Sequence, residues 1–309
     1  MGLMLRRNPK QVFTIFDTWN LKAFWRRLKK LQWPWAPYNP PKYPNLPRDT
    51  KTHVIRHKEE FLRPTPNINP YEPEVIALAV KLGMKEKSKR EYAEAAFDYV
   101  KNSIYFNIET PPSGPVESIK KGYGLCLNKM MVLAALSRVA GIPARFVTYK
   151  QEMAQGFIQM MAEEMSGQIV DEISQEFEQN KPLFTHGCLE LLLDNDWVSA
   201  DLTWTDEEEV GMDLPISKFG ESPFGKWYNV MPDTVSRSET LPWRRITAFM
   251  WFTTFMLRGL YDRLSERTNQ LREVGRKQLA VVGRETYINR KKKLFIPMPR
   301  LVPYEEMKE

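Results

Sequence analysis

Hydrophobic and polar positions follow two rhythms along this 309-residue chain. The three-to-four rhythm of an amphipathic helix comes first in QVFTIFDTWNLKAFWRRLKKLQ, 11–32. There Val12, Phe16, Trp19, Ala23, Phe24, Leu28 and Leu31 share a face, while Lys22, Arg26, Lys29 and Lys30 fall mostly elsewhere. WPWAPYNPPKYPNLP follows at 33–47, and its six prolines predict an extended arm. The helical rhythm returns after Ser88, where Glu91 completes a capping-box signature. Tyr92, Ala95, Ala96, Tyr99, Val100 and Ile104 then predict a helix over 89–105. Beyond the turn-rich PPSGP at 111–115, a short helix is expected near 116–120. A longer helix over 126–140 is closed by Gly141, a natural C′ residue, and by Pro143.

The period-two rhythm of strands appears in RFVTYK, 145–150, and in two short apolar runs, HGCLELLL at 186–193 and WVSADLT at 197–203. Asp194, Asn195 and Asp196 separate these runs and predict a tight hairpin turn. A turn centred between Asp194 and Asn195 sets 186 opposite 203 and 188 opposite 201, so His186 and Asp201 become diagonal neighbours on one face. The segment 151–180 is helical in pattern, rich in Met and Phe, and carries seven acidic residues and no basic one. It reads as an insertion, with a lid as one role for it.

Composition places the chain among folded globular proteins, at 42% apolar and 12% aromatic residues. Two cysteines exclude a disulfide framework and CxxC metal clusters, and they point to a reducing compartment. The net charge of +7 hides an asymmetry. Residues 1–63 and 243–300 each carry 14 Lys or Arg against 4 Asp or Glu, whereas 64–242 carries 16 against 27. The expected organisation is an N-terminal basic aromatic arm over 1–63, a catalytic domain over 64–242, and a basic helical extension over 243–309. The arms can dock on the acidic domain or reach an anionic surface, and the helix at 11–32 suits either place. Asp17, Asn20 and Lys22 interrupt any signal-peptide core, and the most apolar window, 246–257, is shorter than the roughly 18 residues of a membrane span. The expected location is cytoplasmic, with membrane association through the arms.

Cys126 stands at the expected start of a helix, just after Gly122 and Gly124. Free N–H groups and the helix dipole stabilise a thiolate there. A thiol nucleophile needs a base, and the base needs a group that fixes its tautomer. With three histidines in the chain the choice is narrow, and the hairpin offers His186 and Asp201 together. Taken singly, each has a plainer reading: buried packing for the cysteine, a satisfied core residue for the histidine, and a turn-closing carboxylate for the aspartate.

Three stretches in order resemble the transglutaminase-like superfamily of papain-like thiol enzymes. They are YVKNSIYF at 99–106, GYGLCLNKMMVLAALSRVAGIPARFV at 122–147 and THGCLELLLDNDWVSADLTW at 185–204, with the resemblance covering about 75–240. It implies an α+β fold in which the nucleophile helix packs on an antiparallel sheet. It also implies Cys126 as nucleophile, His186 as general base and acid, and Asp201 as the residue that orients His186, with acyl transfer through a thioester. The Cys126 N–H would hold part of the oxyanion. Animal members of the family supply a second donor from a tryptophan, and PPSGPVES has none, which leaves Tyr105 and Tyr123 as substitutes.

The expected activity is hydrolysis of a peptide or amide bond in a protein or peptide substrate. Cross-linking or amine transfer is the alternative within enzymes, and a non-catalytic protein-binding module at a membrane surface is the alternative outside them. Trp197 and Thr203 read as structural, Arg145 as an ion-pair donor, and Cys188 as packing beside the site. His53 and His57 lack a third ligand, and DEEE at 206–209 reads as a helix N-terminus after Thr205 rather than a calcium site. No cofactor or metal is expected. The basic run at 290–293 comes without a base-recognition signature, so nucleic acid is not an expected partner.

Overall fold

The computed structural model describes residues 52–107, 113–152, 183–221, 230–241 and 264–292. The expected helix at 11–32, the proline-rich arm, the insertion beyond residue 152 and the apolar window at 246–257 lie outside these residues. Elements are numbered here in chain order. Helix α1 (Pro73–Lys81) begins on a proline, which needs no N–H partner at that position. Helix α2 (Lys89–Ser103) starts on the expected capping box, with the Ser88 N–H donating to Glu91 and the Glu91 N–H donating to Ser88 Oγ. Strand β1 (Tyr105–Phe106) then pairs in parallel with β2 (Tyr123–Gly124), and α3 (Pro115–Lys121) connects them.

Helix α4 (Cys126–Val139) runs through the middle of the domain, and every residue from Asn128 to Val139 is buried. A helix apolar nearly all round has to be enclosed. Here α1, α2 and α3 cover it on one side, and β3 (Ala144–Glu152) with β4 (Leu183–Leu193) covers it on the other. Its end matches the expectation: Gly141 takes a left-handed φ of 69°, and the Ile142 N–H reaches back to Ser137 O at 2.9 Å. The buried Arg138 guanidinium fixes this corner by donating to the carbonyls of Arg63, Ala144 and Glu239.

The sheet is antiparallel in the order β5-β4-β3-β6, with β5 at Asp196–Ala200 and β6 at Val230–Ser238. Leu189, Leu191 and Leu193 alternate toward the core shared with α4, along with Ala144 and Phe146 of β3. The opposite parity carries Val147, Tyr149 and Cys188, which form a separate buried cluster. The β4–β5 turn is the two-residue kind expected, with positive φ at Asp194 (54°) and Asn195 (71°), as a type I′ turn requires. The pairing of Leu193 with Asp196 and of Leu189 with Ala200 gives the expected register. The strand expected over 197–203 ends earlier, at Ala200. Asp201 there accepts from the Thr203 N–H at 3.1 Å, a local bond that competes with continuing the ladder.

DEEE forms helix α5 (Asp206–Gly211), capped by Thr205 as its composition indicated. Onto it dock the basic C-terminal helices, α6 over 264–282 and α7 (Arg284–Lys292). Arg272 faces Glu208, Arg276 pairs with Glu207 at 3.1 Å, Arg284 with Asp206 at 2.5 Å, and Lys291 with Asp213 at 2.6 Å. The backbones touch as well. A Cβ on Gly275 would sit 1.9 Å from Glu207 O, and one on Gly211 would sit 1.9 Å from Leu271 O. For residues 264–292, then, the basic charge docks on the acidic domain. Among the described residues no helix is long and apolar enough to cross a membrane.

Candidate active site

Cys126 sits in the first turn of α4, half-buried, where the chain arrives through a tightly fixed turn. Gly122 ends α3 with a left-handed φ of 71°, and β1 holds the next residues through Tyr105 N–H to Gly122 O and Asn107 N–H to Gly124 O. Gly124 is needed for a different reason. A Cβ there would meet Asn128 Cβ at 2.7 Å, and Asn128 must lie close because its Oδ1 accepts the Leu125 N–H at 2.9 Å. The Asn128 amide also donates to Ser113 O, so one buried side chain ties the helix start to the preceding loop.

His186 comes from β4, directly opposite Tyr149 of β3, whose ring meets the imidazole edge-on at 5.6 Å. The Cys126 thiol lies near enough to the His186 ring to shift its protonation. His186 Nε2 lies 3.6 Å from Asp201 Oδ2, and both side chains are close to 10% exposed (11% and 12%). That separation is an ion-pair contact, longer than a hydrogen bond. The other carboxylate oxygen, Oδ1, is held by the Thr203 N–H and by the Thr203 hydroxyl at 2.9 Å. Thr203 Oγ1 is also 3.4 Å from His186 Nε2.

The charges are mutually stabilising. Burial alone would lower the His186 pKa, but the Asp201 carboxylate and the Cys126 sulfur beside the ring raise it to about 10. Burial likewise opposes ionisation of Asp201, yet His186 and the two Thr203 donors hold its pKa down at about 2. An imidazolium is therefore favoured at neutral pH beside the Asp201 carboxylate.

Gly187 lets the helix reach this strand. A Cβ there would lie 2.9 Å from Val147 O and 3.2 Å from Met130 Cε, one helical turn beyond Cys126. A glycine inside a strand pattern is the available signal for such an approach. Thr203 acts on the Asp201 carboxylate itself, a more specific task than the structural one its position suggested.

The remaining residues singled out in the sequence have surroundings of their own. Cys188 is buried among Val147, Tyr149 and Val235, and burial together with the Asp201 and Glu190 charges pushes its pKa well up. Arg145 pairs with Glu190 at 2.7 Å and stacks 3.8 Å over Trp197, which meets Phe61 edge-on. The Tyr105 ring is taken up by the Arg272 guanidinium 3.9 Å above it, and Tyr123 lies 5.9 Å from Lys121 Nζ. Residues 52–58 are outside any helix, so His53 and His57 do not share a helix face. Among the described residues no group of acidic, His or Cys side chains could hold a metal ion.

Comparison with known proteins adds a family to this geometry. Residues 76–202 match the family described as the transglutaminase-like superfamily, a span that includes Cys126, His186 and Asp201. They form a transglutaminase-like domain, with the mixed helix and antiparallel-strand architecture of that papain-like fold. No curated protein matches the chain. Among solved structures it is similar to a protein named “Putative Cysteine Protease from Cytophaga hutchinsonii”, at 21% identity and a TM-score of 0.33. That similarity covers 46% of this chain and 40% of the other, so the match spans less than half of either.

Proposed function

We propose that this protein is a thiol-dependent acyl-transfer enzyme, and that its reaction is hydrolysis of a peptide or amide bond through a Cys126 thioester. The observation that carries this reading is the convergence of Cys126, His186 and Asp201 from a helix start, a strand and a loop. Pure packing does not call for a thiol brought beside a buried imidazole that is backed by a carboxylate. In the proposed reaction the Cys126 thiolate attacks the carbonyl carbon. His186 protonates the departing amine, and the Cys126 backbone N–H donates to the oxyanion. Water, deprotonated by His186, then attacks the thioester, releasing the acid and regenerating the thiol. Asp201 keeps the imidazole oriented, and charged until it gives its proton to the departing amine.

Intact mass spectrometry of the protein with a mixed peptide library, quenched in acid, tests this. Acyl adducts on Cys126 in the wild type and none in Cys126→Ala support the reading. Chasing the adduct with water or with a primary amine then separates hydrolysis from amine transfer. Absence of any adduct, together with unchanged peptides, would favour the binding module.

A further inference from the structure

Three residues beyond Cys126, on the same helix, Lys129 is completely buried. Among the described residues its ammonium makes no hydrogen bond to a carboxylate. It donates to two backbone carbonyls, Lys101 O at 3.0 Å and Thr203 O at 3.2 Å. Thr203 is the residue whose hydroxyl and N–H hold the Asp201 carboxylate. One side chain thus links the helix that carries the thiol to the loop that carries the acid. We propose that Lys129 is a positioning residue for the Cys126–His186–Asp201 site, setting where the Asp201–Thr203 loop lies relative to the nucleophile helix; this rests on the proposed function above.

Two physical arguments favour position over stability as the role of this lysine. A buried charge is costly, and a well-packed apolar residue of similar volume usually stabilises as well or better. What methionine cannot do is grip two carbonyls from different elements at fixed distances. The loop also needs such a grip, because the β4–β5 ladder stops at Ala200 and, among the described residues, no strand pairing controls Asp201 or Thr203.

The surrounding charges make this site for a lysine workable. Lys101 of α2, itself buried, pairs with Asp206 and with Glu209 at 2.9 Å, so the two carboxylates answer the second buried ammonium. Glu208 of α5, fully buried, accepts the Phe106 N–H at 3.2 Å and the Thr205 N–H at 2.8 Å, and Arg272 of α6 faces it at 3.6 Å. Burial and the nearby Lys101 charge lower the Lys129 pKa to about 8, while Glu208, Glu209 and Asp201 oppose the shift. The docked C-terminal helices therefore contribute to the same charge cluster, through Arg272.

The test uses full-length Lys129→Met and Lys129→Arg, with alkylation of Cys126 by iodoacetamide followed from pH 5 to 10 and folding checked by thermal unfolding. The expected result is a folded K129M whose alkylation rate at pH 6 falls at least tenfold, with its profile moved toward that of His186→Ala, and partial recovery in K129R. A folded K129M with the wild-type profile overturns the proposal. Should K129M not fold, Lys129→Gln decides by the same readout, and failure of both to fold makes Lys129 a stability residue and also overturns it. The wild-type and His186→Ala curves separate the two claims. If they coincide, the thiol-enzyme reading fails; if they differ and K129M matches wild type, only the role of Lys129 does.

Discussion

Replacing Asp201 by Asn keeps the shape of the site and removes one charge, so it isolates what that charge does to His186. In the wild type His186 holds its proton to about pH 10, whereas an ordinary imidazole loses it near 6.5. Asp201 titrates at about 2 instead of 3.8. His186 and the two Thr203 donors together produce that depression against burial, which pulls Asp201 the other way, so the coupling to His186 is on the order of 2–3 kcal/mol. By reciprocity, Asp201→Asn should lower the His186 pKa by roughly two units or more. The pair has a defined stability window. The His186 share is full below about 6.5 and is lost as pH rises through about 10, while the Asp201 share is present above about 4 and is lost as pH falls through about 2. The chain has three histidines, so a carbon–proton correlation spectrum carries three imidazole Cε1–H signals, and His186→Ala assigns the one of interest. The expected titration shows the His186 signal constant from pH 5 to 8 in the wild type and titrating within or below that range in D201N. A wild-type midpoint near 6.5, or a D201N midpoint within about half a unit of wild type, would refute the reasoning.

Other consequences follow from particular contacts. Thr203→Val removes the hydroxyl that donates to Asp201 at 2.9 Å; hydrogen bonds to charged groups are worth about 1.5–3 kcal/mol, so Cys126 alkylation at pH 6 should fall about tenfold and recover in Thr203→Ser. Gly275→Ala forces a methyl against Glu207 O, 1.9 Å away; the crossing of α5 and α6 should lose about 3 kcal/mol or more, seen in urea unfolding and in faster proteolysis of residues 264–292, and wild-type resistance would contradict the close packing.

The sequence made the parts of the site legible wherever local rules decide them. The capping box at Ser88, the Gly141 stop and the Asp194–Asn195 turn each follow from one or two residues, and the hairpin register follows from the turn. From that register alone His186 and Asp201, 15 positions apart, fall on one face. What stayed hidden depends on tertiary contact. Nothing local to Thr203 says that its hydroxyl holds a carboxylate, and nothing local to Lys129 says that an apparently ordinary lysine is wholly enclosed. Strand β6 was not legible either, because its residues PDTVSRS lack a period-two apolar pattern and pair with β3 only by completing the sheet. The charge asymmetry left docking and outward reach both open for the basic arms. For α6 and α7 the decision came from glycines, Gly211 and Gly275, which let two backbones meet so that four basic residues could find the carboxylates of α5 and Asp213.

The central claim is that Cys126 is a nucleophile prepared by His186, and the pH profile of its alkylation by iodoacetamide tests it most directly. An ordinary exposed thiol with a pKa of about 8.5 is only ~0.3% thiolate at pH 6 and gains rate steadily up to that pH. The account predicts alkylation of Cys126 in the wild type at pH 6 well above that of an ordinary thiol, and a fall to the ordinary rising curve in His186→Ala. A wild-type curve that rises like a free thiol, or one that His186→Ala leaves unchanged, would contradict it.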